Sequence, residues 1–182
     1  GIPKERIAFL GVEDNWWSLG GGVGPCGPDT EIFYWRSDEK APVVFDPKDE
    51  RWVEIWNNVF TQYNGNEDGT VTPLTKKNVD TGMGVERITA VLEGVDDNYK
   101  TSIFKEAIAK IEEVAHASYE DETKKRAMRI IADHIRAIVI IAGDDAGIKP
   151  SNTDQGYILR RLIRRTIRYA KQLDIDINSD WD

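Results

Sequence analysis

The pattern of hydrophobic and polar positions in the first part of the chain is typical of β-strands. Thr30–Trp35 alternates polar and apolar residues and is rich in aromatics, and Trp52–Tyr63 has the same character over a longer stretch. Asn64-Gly65 and Asp68-Gly69 then supply turn residues, after which Thr70–Leu74 returns as a strand. Because the gaps between these runs fit hairpins, the pattern predicts an antiparallel sheet.

After about Gly84 the apolar positions recur at helical spacing instead. One helix is predicted from there to a stop near Gly94, and further helical stripes run over 103–114 and 127–141. Before the first strand, Arg6–Val12 is a short apolar run. The order of strands followed by helices predicts an α+β fold.

A last helix is predicted after Pro150, with Ser151 or Asn152 as its N-cap. Its apolar residues are expected to face inward and its arginines outward. The inward set is Ile158, Leu159, Leu162, Ile163, Ile167 and Ala170. The outward arginines recur at i, i+4 and are Arg160, Arg161, Arg164, Arg165 and Arg168.

The charged residues are unevenly distributed along the chain, so the net charge alone does not describe its surface. A net charge of -8 argues against a nucleic-acid partner. From residue 157 to 171, however, there are six basic residues and no acidic one, while the acids concentrate in 46–54, 93–97 and 112–122. The last helix therefore presents a basic face that suits phosphate contacts, and the alternative is a solvated helix whose arginines pair with the acidic segments.

The amino-acid composition limits which classes of protein this chain can belong to. The 182 residues, 40% hydrophobic and 31% charged, are typical of a globular chain, and no apolar run approaches the roughly 20 residues of a membrane span. Cys26 is the only cysteine, which excludes an internal disulfide and fits a reducing cytoplasm. With only His116 and His134 beside it, no zinc cluster is expected and no metal-binding residue is assigned. The beginning at Gly1, without Met or a signal-peptide layout, suggests an excised piece or a processed chain.

Three features carry candidate chemistry with a plainer alternative beside each. The glycine-rich loop 20–28 can bring backbone N–H groups close to a ligand, or be a surface turn. Trp16-Trp17 before it can line a ligand site, although core packing is the commoner role. His134, on the apolar face of a predicted helix, is expected to be a core histidine with a local hydrogen bond rather than a catalytic group.

The densest cluster of candidate residues is Asn78–Arg87, at a junction between strand and helix. Asp80 can accept a hydrogen bond from a ligand ammonium, and Arg87 in the first helical turn can present a planar fork to a phosphate. The glycines between them let backbone approach a ligand closely. The alternative is a glycine-rich turn with an Asp cap and a surface arginine.

Taken together, the motifs resemble the alanyl-tRNA synthetase family, over essentially the whole chain and in order. The run Gly-Met-Gly-Val-Glu-Arg at 82–87 is similar to class II synthetase motif 3, and Glu54–Phe60 to the strand before it. Residues 14–17 and 24–32 are similar to the family's upstream loop and strand, and 131–137 and 150–161 to its helical tRNA-recognition part.

The resemblance implies a function and a role for each matching residue. The family joins alanine and ATP, with Mg²⁺, into alanyl-adenylate, and then transfers the alanyl group to tRNA(Ala). It implies that residues 1–93 are the later part of the catalytic domain and 94–182 the start of the tRNA-recognition domain. The alanine pocket would comprise Trp17, Asn57, Val59, Asp80 and Gly82; Val59 would limit side-chain size and Asp80 would pair with the α-amino group.

Other matching residues would bind the nucleotide and the tRNA. Gly82, Gly84 and Arg87 would bind ATP, which makes Asp80 and Arg87 the candidate catalytic residues. Asn152 would read the G·U pair of the acceptor stem, and the five arginines after it would contact backbone phosphates.

Some positions depart from the family pattern. Asp29 stands where a second cysteine is common, Thr153 where a glutamate is usual, and Gln155 where an arginine is usual. Class II motifs 1 and 2 are expected upstream of Gly1, so the chain by itself is expected to be inactive, with the N-terminal catalytic half supplied in cis or by a partner chain. The alternatives are one chain of a split synthetase, a synthetase paralogue and a non-catalytic tRNA-binding module.

Overall fold

The structure is a computed structural model that describes residues 1–178. The chain divides into two compact units, Gly1–Asn98 and a second that begins at Tyr99. The resemblance to the synthetase family implied a boundary between residues 93 and 94, five residues earlier than this division. In the described residues, no helix is long and apolar enough to cross a membrane.

Unit 1 is built on a four-stranded antiparallel sheet in the order β1-β2-β3-β4. The strands are β1 (Trp16–Ser18), β2 (Gly24–Trp35), β3 (Trp52–Gly65) and β4 (Val71–Met83). Each strand pairs with the next along the chain, as short hairpin connections favour. The α+β class and the antiparallel sheet predicted from the sequence are confirmed.

The β3–β4 turn is formed by Asp68-Gly69, whereas Asn64-Gly65 lies within β3. Gly69 has φ +81°, and Asp68 Oδ1 accepts the backbone N–H of Thr70 at 2.9 Å. The Asp68 carboxylate therefore closes the turn while the glycine takes the left-handed conformation.

The apolar run before the first strand is exposed, and the interpretation of the glycine-rich loop is corrected in part. Arg6–Val12 forms no strand: a 3₁₀ turn at Lys4–Arg6 leads into irregular backbone, and Phe9 is 94% exposed. The glycine-rich segment is a loop only in its first half, since β2 begins at Gly24. A short apolar run without neighbours to pair with does not bury itself.

Helix α1 (Val85–Glu93) follows β4 directly and ends at Gly94, which has φ +67°. Unit 2 contains α2 (Lys105–Ala115), α3 (Glu122–Ala142) and α4 (Asp154–Gln172). Its core joins α2, α3 and the end of α4, with Met128 and Ala132 almost fully buried. The predicted helices are thus present, each with one apolar face against the others.

Two details of α4 differ from the sequence prediction. Its N-cap is Thr153, without a side-chain cap bond, rather than Ser151 or Asn152. Ile158 and Ile167 are 47% and 37% exposed, whereas Leu159 and Ala170 are buried as predicted. The apolar stripe is wider than the surface that α2 and α3 cover among the described residues.

Candidate functional site

The register of the sheet brings the candidate residues of unit 1 together on one face. Asp29 on β2 pairs with Val59 on β3, and Val59 pairs in turn with Asp80 on β4. A second row lies two positions further along the strands, where Glu31 pairs with Asn57 and Asn57 pairs with Gly82. Because alternate residues of a strand point to the same side, both rows face the same way.

Trp17 joins this face from β1, where it pairs with Gly27. A Cβ at Gly27 would lie 2.0 Å from the carbonyl oxygen of Phe60, so β2 and β3 approach closely only because this residue is glycine. The glycine there serves strand pairing. Strand pairing alone explains why residue 27 is glycine, so a contact between its backbone and a ligand, as the sequence interpretation has it, is not required.

The two rows line an open cleft of about 690 Å³. Its charge is strongly negative, because six carboxylates and one cationic side chain line it: Glu13, Asp14, Asp29, Glu31, Glu54 and Asp80, with Arg87. A neighbouring cavity of about 480 Å³ shares Trp17 and Asp80 with it and includes Asn78 and Thr61. The cleft is therefore suited to a cationic group such as an ammonium.

Asn57 and Asp29 are bonded across the strands. Asn57 Nδ2 donates to Asp29 Oδ2 at 3.0 Å, and Asp29 is 8% exposed. The other oxygen, Asp29 Oδ1, is buried without a hydrogen-bond partner in the described part of the chain. Val59, between Asp29 and Asp80, is 6% exposed and forms the apolar floor.

Electrostatic crowding in the cleft is visible at Glu31. Its pKa is raised above the ordinary value by desolvation first, then by the negative charges of Glu54 and Asp29. A hydrogen bond from the Asn57 side chain acts in the opposite direction and lowers the pKa. The carboxylates of this face thus repel one another, and a bound cation would relieve that repulsion.

Arg87 lies in the first turn of α1, where Gly84 leads the chain from β4 into the helix. Gly84 N donates to Ile55 O at 3.1 Å, which ties the start of α1 to β3. From there, Arg87 Nη1 reaches Glu54 at the edge of the same cleft. The predicted junction of strand and helix is confirmed.

In unit 2 the arginines of α4 are exposed and form no ion pair with the described residues of that unit, 99–178. Arg160 Nη1 donates to Asn152 Oδ1, and the guanidinium of Arg161 lies 5.6 Å from the Tyr157 ring centroid. The predicted alternative, in which this helix pairs with acidic segments, is therefore not supported for the acidic segment of the same unit, 112–122. The positive charge of the helix remains available.

His134 is 8% exposed on α3, as the sequence predicts for a core histidine. Its Nδ1 lies 2.8 Å from Asp133 Oδ2, and its Nε2 is buried without a partner among the described residues. It therefore has a local hydrogen bond and lies in a different unit from the cleft.

Sequence reasoning did not single out Asp29, Glu31 or Glu54 as cleft residues. The alternation in Thr30–Trp35 indicated which residues share a face, but not which strand would lie opposite. The register shift between Cys26 and Asp29 sets that face against β3. Gly27-Pro28 within the strand is a signal for such a bulge, but it does not tell which residues of β3 will lie opposite.

Comparisons with known proteins identify the family of the chain. The family model for class II (A) tRNA synthetases matches residues 1–179. Alanine–tRNA ligase of Treponema denticola is 49% identical over 181 residues, which are 98% of this chain and 30% of that protein. Those of Geobacillus kaustophilus and Bacillus cytotoxicus are 48% and 46% identical and match 97% of this chain. The chain spans 20–30% of the length of these relatives.

Proposed function

The chain belongs to the class II (A) tRNA synthetase family, and on that premise we propose that it is part of an alanine–tRNA ligase. Residues 1–93 would be the later part of the catalytic domain, and 94–182 the start of the tRNA-recognition domain. The intact enzyme would activate alanine with ATP and Mg²⁺ and transfer the alanyl group to tRNA(Ala).

The observation that carries the proposal is the double row of residues across β2, β3 and β4. The acidic cleft suits an amino-acid ammonium, for which Asp80 is the charged acceptor. Trp17 would pack against the bound alanine. The buried Val59 leaves little depth beneath a methyl group, and Gly82 leaves open space beside it, since no atom lies within 4 Å of its Cβ position.

Activation requires an alanine carboxylate oxygen to attack the α-phosphorus of ATP while pyrophosphate leaves. Arg87 would hold the phosphate tail, with the backbone at Gly82 and Gly84 beside it. Glu31 and Glu54 are suited to Mg²⁺, which commonly binds through one or two carboxylates together with substrate phosphates. The ion would neutralise charge on the phosphates, and this chain would contribute positioning and electrostatic stabilisation.

For the tRNA, the support is the unpaired charge of α4. Five arginines lie on this helix without carboxylate partners among the described residues of unit 2: Arg160, Arg161, Arg164, Arg165 and Arg168. Asn152, which precedes that helix, would read the edge of a G·U pair.

The decisive experiment is pyrophosphate–ATP exchange by the intact protein that contains this chain, with each of the standard amino acids in turn. We expect exchange with alanine far above exchange with the others. Exchange driven by a different amino acid would overturn the substrate. Binding of tRNA without exchange would instead identify a non-catalytic paralogue.

A further inference from the structure

We propose that Asp29 is a positioning residue of the alanine site. Its carboxylate holds the Asn57 carboxamide so that the carbonyl oxygen Oδ1 faces the ligand ammonium. The inference rests on the proposed function, since it concerns the same alanine pocket.

The orientation of Asn57 follows from the chemistry of its partner. An ionised carboxylate only accepts hydrogen bonds, so the nitrogen and not the oxygen of the carboxamide must face Asp29. The Nδ2–Oδ2 distance is 3.0 Å, and Asp29 is 8% exposed, so water competes poorly for this charge-assisted bond.

Glu31 reinforces the same orientation. It pairs directly with Asn57 across β2 and β3, so a second carboxylate lies beside the carboxamide. Burial and then the charges of Glu54 and Asp29 raise the pKa of Glu31, and a hydrogen bond from the Asn57 side chain opposes that rise. Turning the carboxamide over would place its oxygen against two carboxylates. The Asn57 oxygen is therefore held away from β2.

On the other side of Asn57 the site is open. Asn57 pairs with Gly82 on β4, and no atom lies within 4 Å of the position that a Gly82 Cβ would take. Asp80 is two residues away on the same strand and the same face. An ammonium carries three N–H donors, so an oriented Asn57 oxygen supplies a second acceptor beside the Asp80 carboxylate.

The identity of residue 29 then affects how firmly Asn57 is held. A thiol is a weak acceptor, whereas a buried carboxylate is a strong one. With a cysteine at position 29, Asn57 would be held less firmly than it is by the carboxylate.

The test is the KM for alanine in pyrophosphate exchange by the intact enzyme that contains this chain. Asp29→Asn is expected to raise that KM roughly tenfold, the equivalent of one charge-assisted hydrogen bond, with the KM for ATP nearly unchanged. Asp29→Cys replaces the carboxylate by a weaker acceptor than the amide oxygen of asparagine, so it should raise the KM for alanine at least as much as Asp29→Asn does. The matched control is Asp38→Asn, which removes an exposed carboxylate of the same unit outside the cleft.

A double-mutant cycle with Asn57→Ala distinguishes positioning from a general effect of charge. If Asp29 acts through Asn57, then Asp29→Asn and Asp29→Cys add nothing further to the KM for alanine in the Asn57→Ala background. Additive effects would overturn the inference. An unchanged KM in Asp29→Cys and Asp29→Asn, with a raised KM in Asn57→Ala, would overturn it and leave the alanine site in place. An unchanged KM in Asn57→Ala would overturn both.

Discussion

A single nitrogen of Arg87 is bonded twice to Glu54. Arg87 Nη1 donates to the backbone oxygen of Glu54 at 2.8 Å and to its Oε2 at 3.1 Å. The residues are 33 positions apart, and the contact fixes the guanidinium at the end of β3, beside the acidic cleft. Since a guanidinium has five N–H donors, most of the fork stays free for a ligand.

The first prediction concerns this fork. In the intact enzyme, Arg87→Lys keeps the charge but removes the planar, bidentate geometry. We expect the KM for ATP in pyrophosphate exchange to rise roughly tenfold or more, because at least one charge-assisted hydrogen bond is lost. The KM for alanine should change little. Arg51→Lys is the control, since Arg51 is another half-exposed arginine of the same unit, paired with Asp49 and Glu39. Equal effects of the two substitutions on ATP would contradict a phosphate role for Arg87.

The second prediction concerns Asp80. Asp80→Asn keeps the shape and removes the charged acceptor. The kcat/KM for alanine should therefore fall by a factor that corresponds to roughly 2–4 kcal/mol of transition-state stabilisation. The affinity for ATP should change little, because the side chain proposed to hold the phosphate tail is that of Arg87. An unchanged kcat/KM for alanine would leave Asp80 a structural residue of β4.

The third prediction concerns the chain of 182 residues by itself. Arg87 is the one cationic side chain among the residues that line the cleft, against six carboxylates, so the charge of ATP phosphates is not balanced there. We expect no alanine-dependent pyrophosphate exchange by the pure chain. Robust exchange would show that the activation site is complete without further protein.

The fourth prediction separates phosphate contacts from base reading on α4. Arg164 and Arg168 have no ion-pair partner among the described residues of unit 2. Changing both to Ala should weaken binding to any acceptor-stem RNA and lower the salt slope by somewhat under one unit per lost contact. Asn152→Ala should instead abolish the preference for a G·U stem over a G·C stem at nearly constant salt slope.

Titrations of both stems at several salt concentrations measure these effects. Changing Lys105 and Lys110 on α2 to Ala is the control that removes the same charge from another helix of unit 2. If the arginine variants bind like the parent and Asn152→Ala changes nothing, the tRNA assignment fails.

The fifth prediction follows from the raised pKa of Glu31. A carboxyl whose pKa is higher in the folded than in the unfolded state destabilises the fold when ionised, and the penalty disappears as pH falls below both values. Glu31→Gln should therefore unfold at a higher urea concentration than the parent at pH 7, and the two should converge near pH 4.

Tryptophan fluorescence reports this transition in unit 1, because every tryptophan except Trp181 lies there. The control of opposite sign is Asp68→Asn, because hydrogen bonds from Thr70 lower the pKa of Asp68. That variant should be less stable than the parent at pH 7, and the difference should shrink as pH falls through the lowered pKa. A pH-independent gain in Glu31→Gln would contradict the electrostatic explanation.

The sequence by itself determined the type and order of the long elements. Strand β3, helix α1 with its stop at Gly94, and the helices of unit 2 follow from periodicity and from glycine as a helix terminator, which are local properties. The motif 82–87 likewise indicated the family, because its residues are contiguous. The apolar run Arg6–Val12 was less informative, since burial depends on what an element finds to pack against.

Only the tertiary structure decided which side chains meet. Asp29 and Asn57 are 28 residues apart, and their bond depends on a register shift in β2 that follows Cys26. A shift of one residue would turn Asp29, Glu31 and their neighbours to the other face of the sheet, because side chains alternate along a strand. The register is set by contacts between strands that are distant in sequence, and so the cleft, unlike the elements around it, is a property of the folded sheet.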